Sequence, residues 1–510
     1  MVSSVDTPNV DAVSSPPPSR ADDRETLSSL SWLSIAALFA AAMLLRQVIP
    51  VNLDVSWLLV AGERVLEGQK LYVDIVEINP PMAVFAYLPG IALAHAIGLD
   101  SAVVTDGLVL TLAAASLLVT CQILRLSVKL DNVRLSFFAV WAVAVVTILP
   151  MNVFAQREHL ALLTFLPALA AYSLRGNCES LPMWAILVAG VGAGITLAFK
   201  PFFAVPAVMC VAFAVARSRS WRALFAPENL VTGSLVTIYA IFCYIHYPEY
   251  FTLIYQIVRD TYLSWSMPLP VIFFNSATMI SAIAAISLLW TLRQRPLDST
   301  ALVMALASLG FAFVFYVQRR GWSYQSYPMV ALAMITMGYV LIADAQLHAR
   351  LSRLPATAVL AAAFVLGCLW FNMKVYVGPI EGVVAGIKPN PRILVMSGEA
   401  AIGHPLVRAL HGVWVSRQEC LWIRTFTRVT RERTTVDADL NAKLNSYLAL
   451  ERQWLIEDFK RLPPDVVLVD NLREGWGAWA KADADLAQLL KPYVLVQTIE
   501  GIDILRRVDK

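Results

Sequence analysis

A set of ionisable side chains stands where an apolar chain has least use for them: Asp54, Asp74 and Glu77, then Arg157, Glu158 and His159, then Lys200, then Arg319 and Arg320. Tyr324, Gln325 and Tyr327 follow the last pair. A carboxylate within hydrogen-bond reach of a hydroxyl can take its proton during attack, and Arg or Lys fixed in a low-dielectric site can hold an anion. Each residue also has a plainer use. Asp54 precedes "SWLLVAGERVLEGQ" and can cap it as a helix. Arg157 can pair with Glu158, and the cations can reach for a membrane interface. His159 can bond a substrate, help hold a divalent ion, or sit as a satisfied buried histidine. Tyr324 and Tyr327 can stack on a ligand or serve as interfacial aromatics.

The elements that must position these residues are membrane helices. The chain has 510 residues, 58% of them hydrophobic and only 15% charged, with a mean hydropathy of +0.63, too apolar for a soluble domain. The expected fold is mainly α, a polytopic helical membrane protein with a small C-terminal α/β domain. Its net charge of +3 is spread over short loops, which excludes a nucleic-acid footprint. The six cysteines are scattered without a CxxC pair, and no HExxH occurs, so neither a disulfide framework nor a protein-built zinc site is expected.

Residues 1–28 are rich in Ser, Pro and Asp and read as a disordered tail. Apolar runs from Ser29 onward give about eleven to thirteen spans on a bilayer-thickness criterion, within a membrane domain of residues 29–373. Basic clusters at Arg125–Arg134, Arg175, Arg217–Arg222, Arg293/Arg295 and Arg350/Arg353 mark cytoplasmic loops. The alternate loops, including 50–80, then face outward, as does the remainder of the chain. The runs at Pro81–Leu99 and Val103–Leu124 give one crossing too many, so one is expected to be juxtamembrane or re-entrant. "AGVGAG", with Gly190, Gly192 and Gly194, lies inside an apolar helix with no preceding strand and reads as a helix-packing face, not a phosphate loop. Residues 374–510 alternate strand and helix patterns ("PRILVMS", "HPLVRAL", "YLALERQWLIEDFKRL", "DVVLVD", "YVLVQTIEGIDIL") and form the second domain.

The stretch Val51–Met82 couples an Asp, an amphipathic segment suited to a membrane surface, "LYVD", and "EINPPM" leading into apolar sequence. This order resembles the first outer loop of the GT-C class of polytopic glycosyltransferases, in particular its protein O-mannosyltransferase-like, aminoarabinose-transferase-like and Rgt-type bacterial branch. "AQREHLALL", "AGITLAFKPFF" and "QRRGWSYQSYP" extend the resemblance over most of Ser29–Phe371. It implies that Asp54 is the catalytic acid of the loop. The class often carries a second acid directly after the first. Here that residue is Val55, which leaves Asp74, Glu77 or Glu158 for the part.

The resemblance implies sugar transfer from a polyprenyl-phosphate donor to a hydroxyl on an envelope glycan, lipid or protein, at the outer face of a bacterial inner membrane. Asp54 would accept the hydroxyl proton, and Arg157, Lys200, Arg319 or Arg320 would hold the departing phosphate. His159, Tyr324, Gln325 and Tyr327 are the candidates for further substrate contacts. A divalent cation, Mg or Mn, is the only cofactor expectation, and membrane lipids are the other partners. Two rivals remain: a polysaccharide polymerase or ligase, expected to work from one long late loop, and a transporter or lipid-binding protein. Transporters usually show internal repeats and mid-span charges, and this sequence shows neither.

Overall fold

The computed structural model describes residues 20–127, 132–294, 296–343, 354–372 and 378–508. The expected tail therefore lies mostly outside the described residues, and helix begins at Arg20, ahead of the apolar run. The membrane part comprises α1 (Arg20–Val48), α2 (Leu53–Leu66), α3 (Met82–Phe85), α4 (Leu88–Ile97), α5 (Ser101–Leu124), α6 (Asn132–Thr147), α7 (Arg157–Gly176) and α8 (Met183–Phe199). It continues through α9 (Ala204–Ser218), α10 (Pro227–His246), α11 (Tyr255–Asp260), α12 (Leu269–Phe273), α13 (Ser276–Gln294), α14 (Ser299–Gln318), α15 (Ser323–Ala343) and α16 (Leu354–Phe371).

The surplus apolar run is resolved by length. α4 has 10 residues, about 15 Å of helix against a hydrocarbon core of about 30 Å. It stops at Gly98 in the left-handed region, φ 69°, and Asp100 then caps α5 through the Ala102 N–H at 2.8 Å. α4 thus stays on the side that α1 reaches. Eleven helices of the membrane part, α1, α5–α10 and α13–α16, have 15 residues or more. Six candidate spans satisfy length and apolarity alone. α7 does not, and it has no need to: every residue except Thr164 and Arg175 is buried, against α5, α8, α9, α14 and α15. Of the basic clusters, residues 128–131, Arg295, Arg350 and Arg353 lie outside the described residues; among the described ones Arg175 pairs with Glu228 at 2.8 Å and Arg217 donates to the Gly176 carbonyl at 3.2 Å. The glycine run serves close packing. A Cβ at Gly190 would lie 2.6 Å from Val231 on α10, and one at Gly192 would strike the Thr164 carbonyl of α7.

The C-terminal domain contains α17 (Gly378–Ala385), β1 (Arg392–Met396), α18 (His404–Ala409), β2 (Val413–Trp414), α19 (Trp422–Arg433), α20 (Ala438–Arg461) and β3 (Val466–Asp470). α21 (Trp476–Ala482), α22 (Ala484–Leu490), β4 (Tyr493–Ile499) and β5 (Ile502–Arg507) complete it. The sheet order is β2-β1-β3-β5-β4; β2, β1 and β3 are parallel, and β5 is antiparallel to β3 and β4. Side chains alternate between the faces with period 2. Leu394, Met396, Val467 and Val469 pack with Leu455, Phe459 and Trp476, whereas Ile393, Val395, Val466 and Leu468 belong to the core continuous with the membrane part.

The domain is seated on α2. Arg64 donates to the carbonyls of Trp414 and, at 2.8 Å, Ser416. Glu63 takes both Arg408 Nη1 and Nη2 at 2.8 Å. α2 is therefore not the membrane-surface helix its amphipathic pattern suggested, because its charged face meets protein. Trp57 of α2 and Tyr72 in the loop after it are buried as well.

Candidate active site

Asp54 sits in the first turn of α2 but does not cap it. The cap is Asn52, whose side-chain oxygen accepts from the Asp54 N–H at 2.9 Å. The Asp54 side chain is thereby free for other partners: its Oδ2 accepts from Gln156 Nε2 at 3.0 Å and from Arg157 Nη2 at 3.3 Å. It remains 16% exposed beside an Arg157 that is 5% exposed. Asn52 also accepts from Gln156 and donates to Asn152 at 3.2 Å, so the start of α2 and the chain ahead of α7 are tied together.

The segment that delivers Gln156 and Arg157 is strained. Ala155 has φ 61°, a region that costs a residue with a Cβ about 1–2 kcal/mol. His159 holds it there: Nδ1 accepts from the Ala155 N–H at 3.1 Å, and Nε2 donates to the Val146 carbonyl at 2.9 Å. Tyr87 adds a hydrogen bond to the Ala155 carbonyl at 2.7 Å. Both ring nitrogens of His159 are engaged with backbone, which leaves none for a substrate or an ion. Tyr327 is also buried, with its hydroxyl on the Val145 carbonyl at 3.1 Å and its ring edge-on to His159 at 5.3 Å. Neither side chain reaches the site; both shape it from behind.

Arg157 does not pair with its neighbour Glu158. Glu158 instead takes Lys200 Nζ at 2.5 Å. Pro201 keeps Lys200 extended, φ −151° and ψ 126°, at the junction of α8 and α9, and its ammonium lies 5.5 Å from the Tyr324 ring centroid. Tyr324 is in electrostatic reach of Asp54, Arg157 and Glu158, and so belongs to the site. Gln325 donates to Gln318 at 3.3 Å.

The adjacent arginines diverge. Arg319 ends α14 in the left-handed region, φ 50°, and is bonded to Met267: its carbonyl accepts from the Met267 N–H at 2.7 Å, and Nη2 donates to the Met267 carbonyl at 3.1 Å. Arg320 turns inward, 5% exposed, over Tyr262 at 4.4 Å and Trp265 at 5.6 Å. No carboxylate pairs with it among the described residues. Tyr262, whose phenol is pushed up by burial, lies in the field of Arg320, Arg157 and Asp54, which joins this cation to the rest.

The expected second acids fare differently. Asp74 is exposed and closes a turn by accepting the Lys70 N–H at 2.9 Å. Glu77 is buried and engaged by Trp57 Nε1 at 2.5 Å, the Asn79 N–H at 2.8 Å and Asn79 Nδ2 at 2.5 Å. Sequence reasoning missed Glu419. It lies in the loop after β2, which pairs with the α2–α3 loop through the Val76 N–H and the Arg417 carbonyl at 2.7 Å. Glu419 is in electrostatic reach of Asp54, Glu77, Arg157 and Glu399. "SRQECLW" carries no chemical motif, and only the docking of the two domains brings it there. Gln156 was missed as well, although it stands inside the quoted "AQREHLALL". Among the described residues no group of three or more His, Cys, Asp or Glu converges to hold a metal ion.

No protein-family model and no curated protein matches the sequence. Among solved structures, the chain is similar to ArnT from Cupriavidus metallidurans bound to undecaprenyl phosphate, with a TM-score of 0.57, 14% identity, and coverage of 96% of this chain and 99% of that one. The same protein in its apo state gives a TM-score of 0.55 at 14% identity, over the same shares of the two chains. Helical bundle and C-terminal domain are both inside that match, so the chain is a polytopic membrane protein with the ArnT fold, as the resemblance to the GT-C class implied.

Proposed function

We propose that the protein is a membrane glycosyltransferase that moves a sugar from a polyprenyl-phosphate donor to a hydroxyl acceptor of the cell envelope, a glycan, lipid or protein, with inversion. One observation carries this reading. Around the partly open Asp54 carboxylate, buried polar atoms stand without hydrogen-bond partners: Gln156 Oε1, Arg157 Nε, Glu158 Oε2, Arg320 Nη1 and Gln325 Oε1. Buried polar groups are nearly always paired in a folded protein, so unpaired ones concentrated beside a base and three cations ask for a polar, anionic ligand. ArnT, which shares the fold, binds undecaprenyl phosphate, a polyprenyl phosphate.

In this reading Asp54 accepts the proton of the acceptor hydroxyl as its oxygen bonds to the anomeric carbon from the face opposite the phosphate. The bond from that carbon to the phosphate oxygen breaks, and the lipid phosphate leaves with one more negative charge. Arg320, which has no carboxylate partner among the described residues, and Lys200 receive it. Arg157 holds Asp54 in place. The site and the C-terminal domain face the outer, periplasmic side of a bacterial inner membrane, opposite the ends that carry Arg175 and Arg217–Arg222.

The test is an assay of purified protein with radiolabelled polyprenyl-phosphate sugars and an envelope membrane fraction as acceptor. Transfer from one donor is expected. Absence of transfer from every donor, together with no binding of undecaprenyl phosphate, overturns the reading. Reporter fusions after Gln69 and Lys388 should both report the periplasm and one after Arg219 the cytoplasm; a cytoplasmic signal at Lys388 overturns the sidedness.

A further inference from the structure

The parallel strands β2, β1 and β3 end on the side of the domain that meets the first outer loop. Open α/β sheets bind their ligands outside these carboxyl ends, between loops that diverge. Here the loop after β1 brings Glu399 and the loop after β2 brings Gln418 and Glu419. The β2 loop is fixed on three sides. Val76 bridges to Gln418, the Leu421 N–H donates to the Ser397 carbonyl at 2.8 Å, and His404 Nε2 donates to the Glu419 carbonyl at 3.1 Å.

Within this fixed loop the side chains are not satisfied. Gln418 is buried with a partnerless Oε1, and Glu419 Oε1 is buried and partnerless as well. Glu399, by contrast, has its cation in Arg473. The charged groups facing Glu419 are Asp54 from α2, Glu77 from the outer loop, Arg157 from α7 and Glu399 from the β1 loop. Burial, with Asp54 and Glu77 beside it, pushes the Glu419 carboxyl well above the usual carboxylate range. A neutral carboxyl both donates and accepts hydrogen bonds, while a carboxylate only accepts.

We propose that Glu419 is an acceptor-binding residue, lent to the membrane site by the C-terminal domain, which takes a second hydroxyl of the acceptor while Asp54 takes the proton of the first. The favoured acceptor class is then a sugar or polyol with neighbouring hydroxyls, not a lone serine or threonine side chain. This rests on the glycosyltransferase reading above.

The experiment separates transfer to acceptor from transfer to water. Full-length protein is given radiolabelled polyprenyl-phosphate sugar with an envelope membrane fraction, and label is counted in acceptor and in free sugar. Glu419→Leu, which keeps the bulk but can neither donate nor accept, is expected to lower transfer to the envelope acceptor tenfold or more while leaving release of free sugar and undecaprenyl phosphate affinity within twofold. Asp54→Asn is expected to lose both transfer and release. Equal loss of transfer and release in Glu419→Leu makes the residue structural and overturns the proposal, as does no loss of either. Should Glu419→Leu fail to fold, Glu419→Ala gives the same two readings. Label entering a serine- and threonine-rich peptide as readily as the glycan fraction overturns the acceptor class. Retention of both activities by Asp54→Asn sinks the glycosyltransferase site itself, a result distinct from failure at Glu419 alone.

Discussion

Two loops meet over Asp54, and they treat their acids in opposite ways. In the segment from α2 to α3 the other acids that face protein have partners: Glu63 has two nitrogens of Arg408, and Glu77 has Trp57 and Asn79. In the loop after β2, Glu419 has none for its buried oxygen. The arginine pair divides in a similar way: each has a buried nitrogen without a partner, but Arg319 is tied to the Met267 carbonyl through Nη2, whereas Arg320 only lies over aromatic rings. A buried charge with a full set of partners builds structure; one with an incomplete set is held ready for something that arrives.

The largest effect should come from the base. Asp54→Asn is expected to lower transfer by about 10²–10⁴ with folding intact, because Asn52, not Asp54, caps α2. Asn52→Ala reverses the pattern, with about 1 kcal/mol lost from stability through the cap and a smaller drop in rate. Turnover assays and thermal unfolding of both variants decide it, and a greater loss of stability in Asp54→Asn than in Asn52→Ala would erase the distinction. Next comes the arginine pair. Arg320→Gln should weaken undecaprenyl phosphate binding by about 1.5–3 kcal/mol, the range for a hydrogen bond to a charged group. Arg319→Gln should leave it within twofold, as titration of the lipid against both variants would reveal.

Which parts of this were legible in sequence follows from what each kind of signal depends on. Membrane helices announce themselves by composition, and the re-entrant run was found by parity before α4 proved too short to cross. Asp54, Arg157 and Lys200 were legible because charges at the ends of apolar runs are costly and conspicuous. What failed was pairing. Arg157 and Glu158 are neighbours in sequence, but successive residues on a helix point in different directions, and each found its partner on another element. α2 was misplaced on the membrane surface because an amphipathic pattern shows only that one face is polar, not whether lipid or another domain covers the helix. Glu419 was illegible because an acid in a polar loop of a water-facing domain carries no anomaly until that loop is docked.

A third prediction addresses the docking itself. His404 is buried against Trp57 and Trp414, with ring centroids at 5.3 and 4.3 Å. Burial, with Arg408 and Arg64 nearby, lowers its pKa to about 3, below the ordinary value near 6.5. In that window the unfolded or undocked chain binds a proton that the docked one refuses, so stability is full above about pH 6.5 and falls as pH drops toward 3. At pH 5 the cost is about 2 kcal/mol. Unfolding followed by tryptophan fluorescence between pH 7 and 5 should show this slope, and His404→Gln should flatten it. An unchanged slope in that variant would remove His404 from the docking argument.

The smallest effect tests whether partner count or exposure governs a charge's worth. Glu63 and Arg408 form a well-aligned bidentate pair, yet both are open to solvent, at 24% and 14% exposure. Water and salt screen such a pair, and its net contribution is expected to be about 0–1 kcal/mol. Arg64, one position on, is buried with two backbone carbonyls as partners, and removing it would leave those acceptors unpaired at about 1–3 kcal/mol. Glu63→Gln should therefore shift the unfolding midpoint far less than Arg64→Met does, and its shift should vanish in high salt while that of Arg64→Met persists. If Glu63→Gln proves the costlier change at both salt concentrations, the seat of the C-terminal domain on α2 is electrostatic, and the interface that presents Glu419 to Asp54 depends on ionic strength.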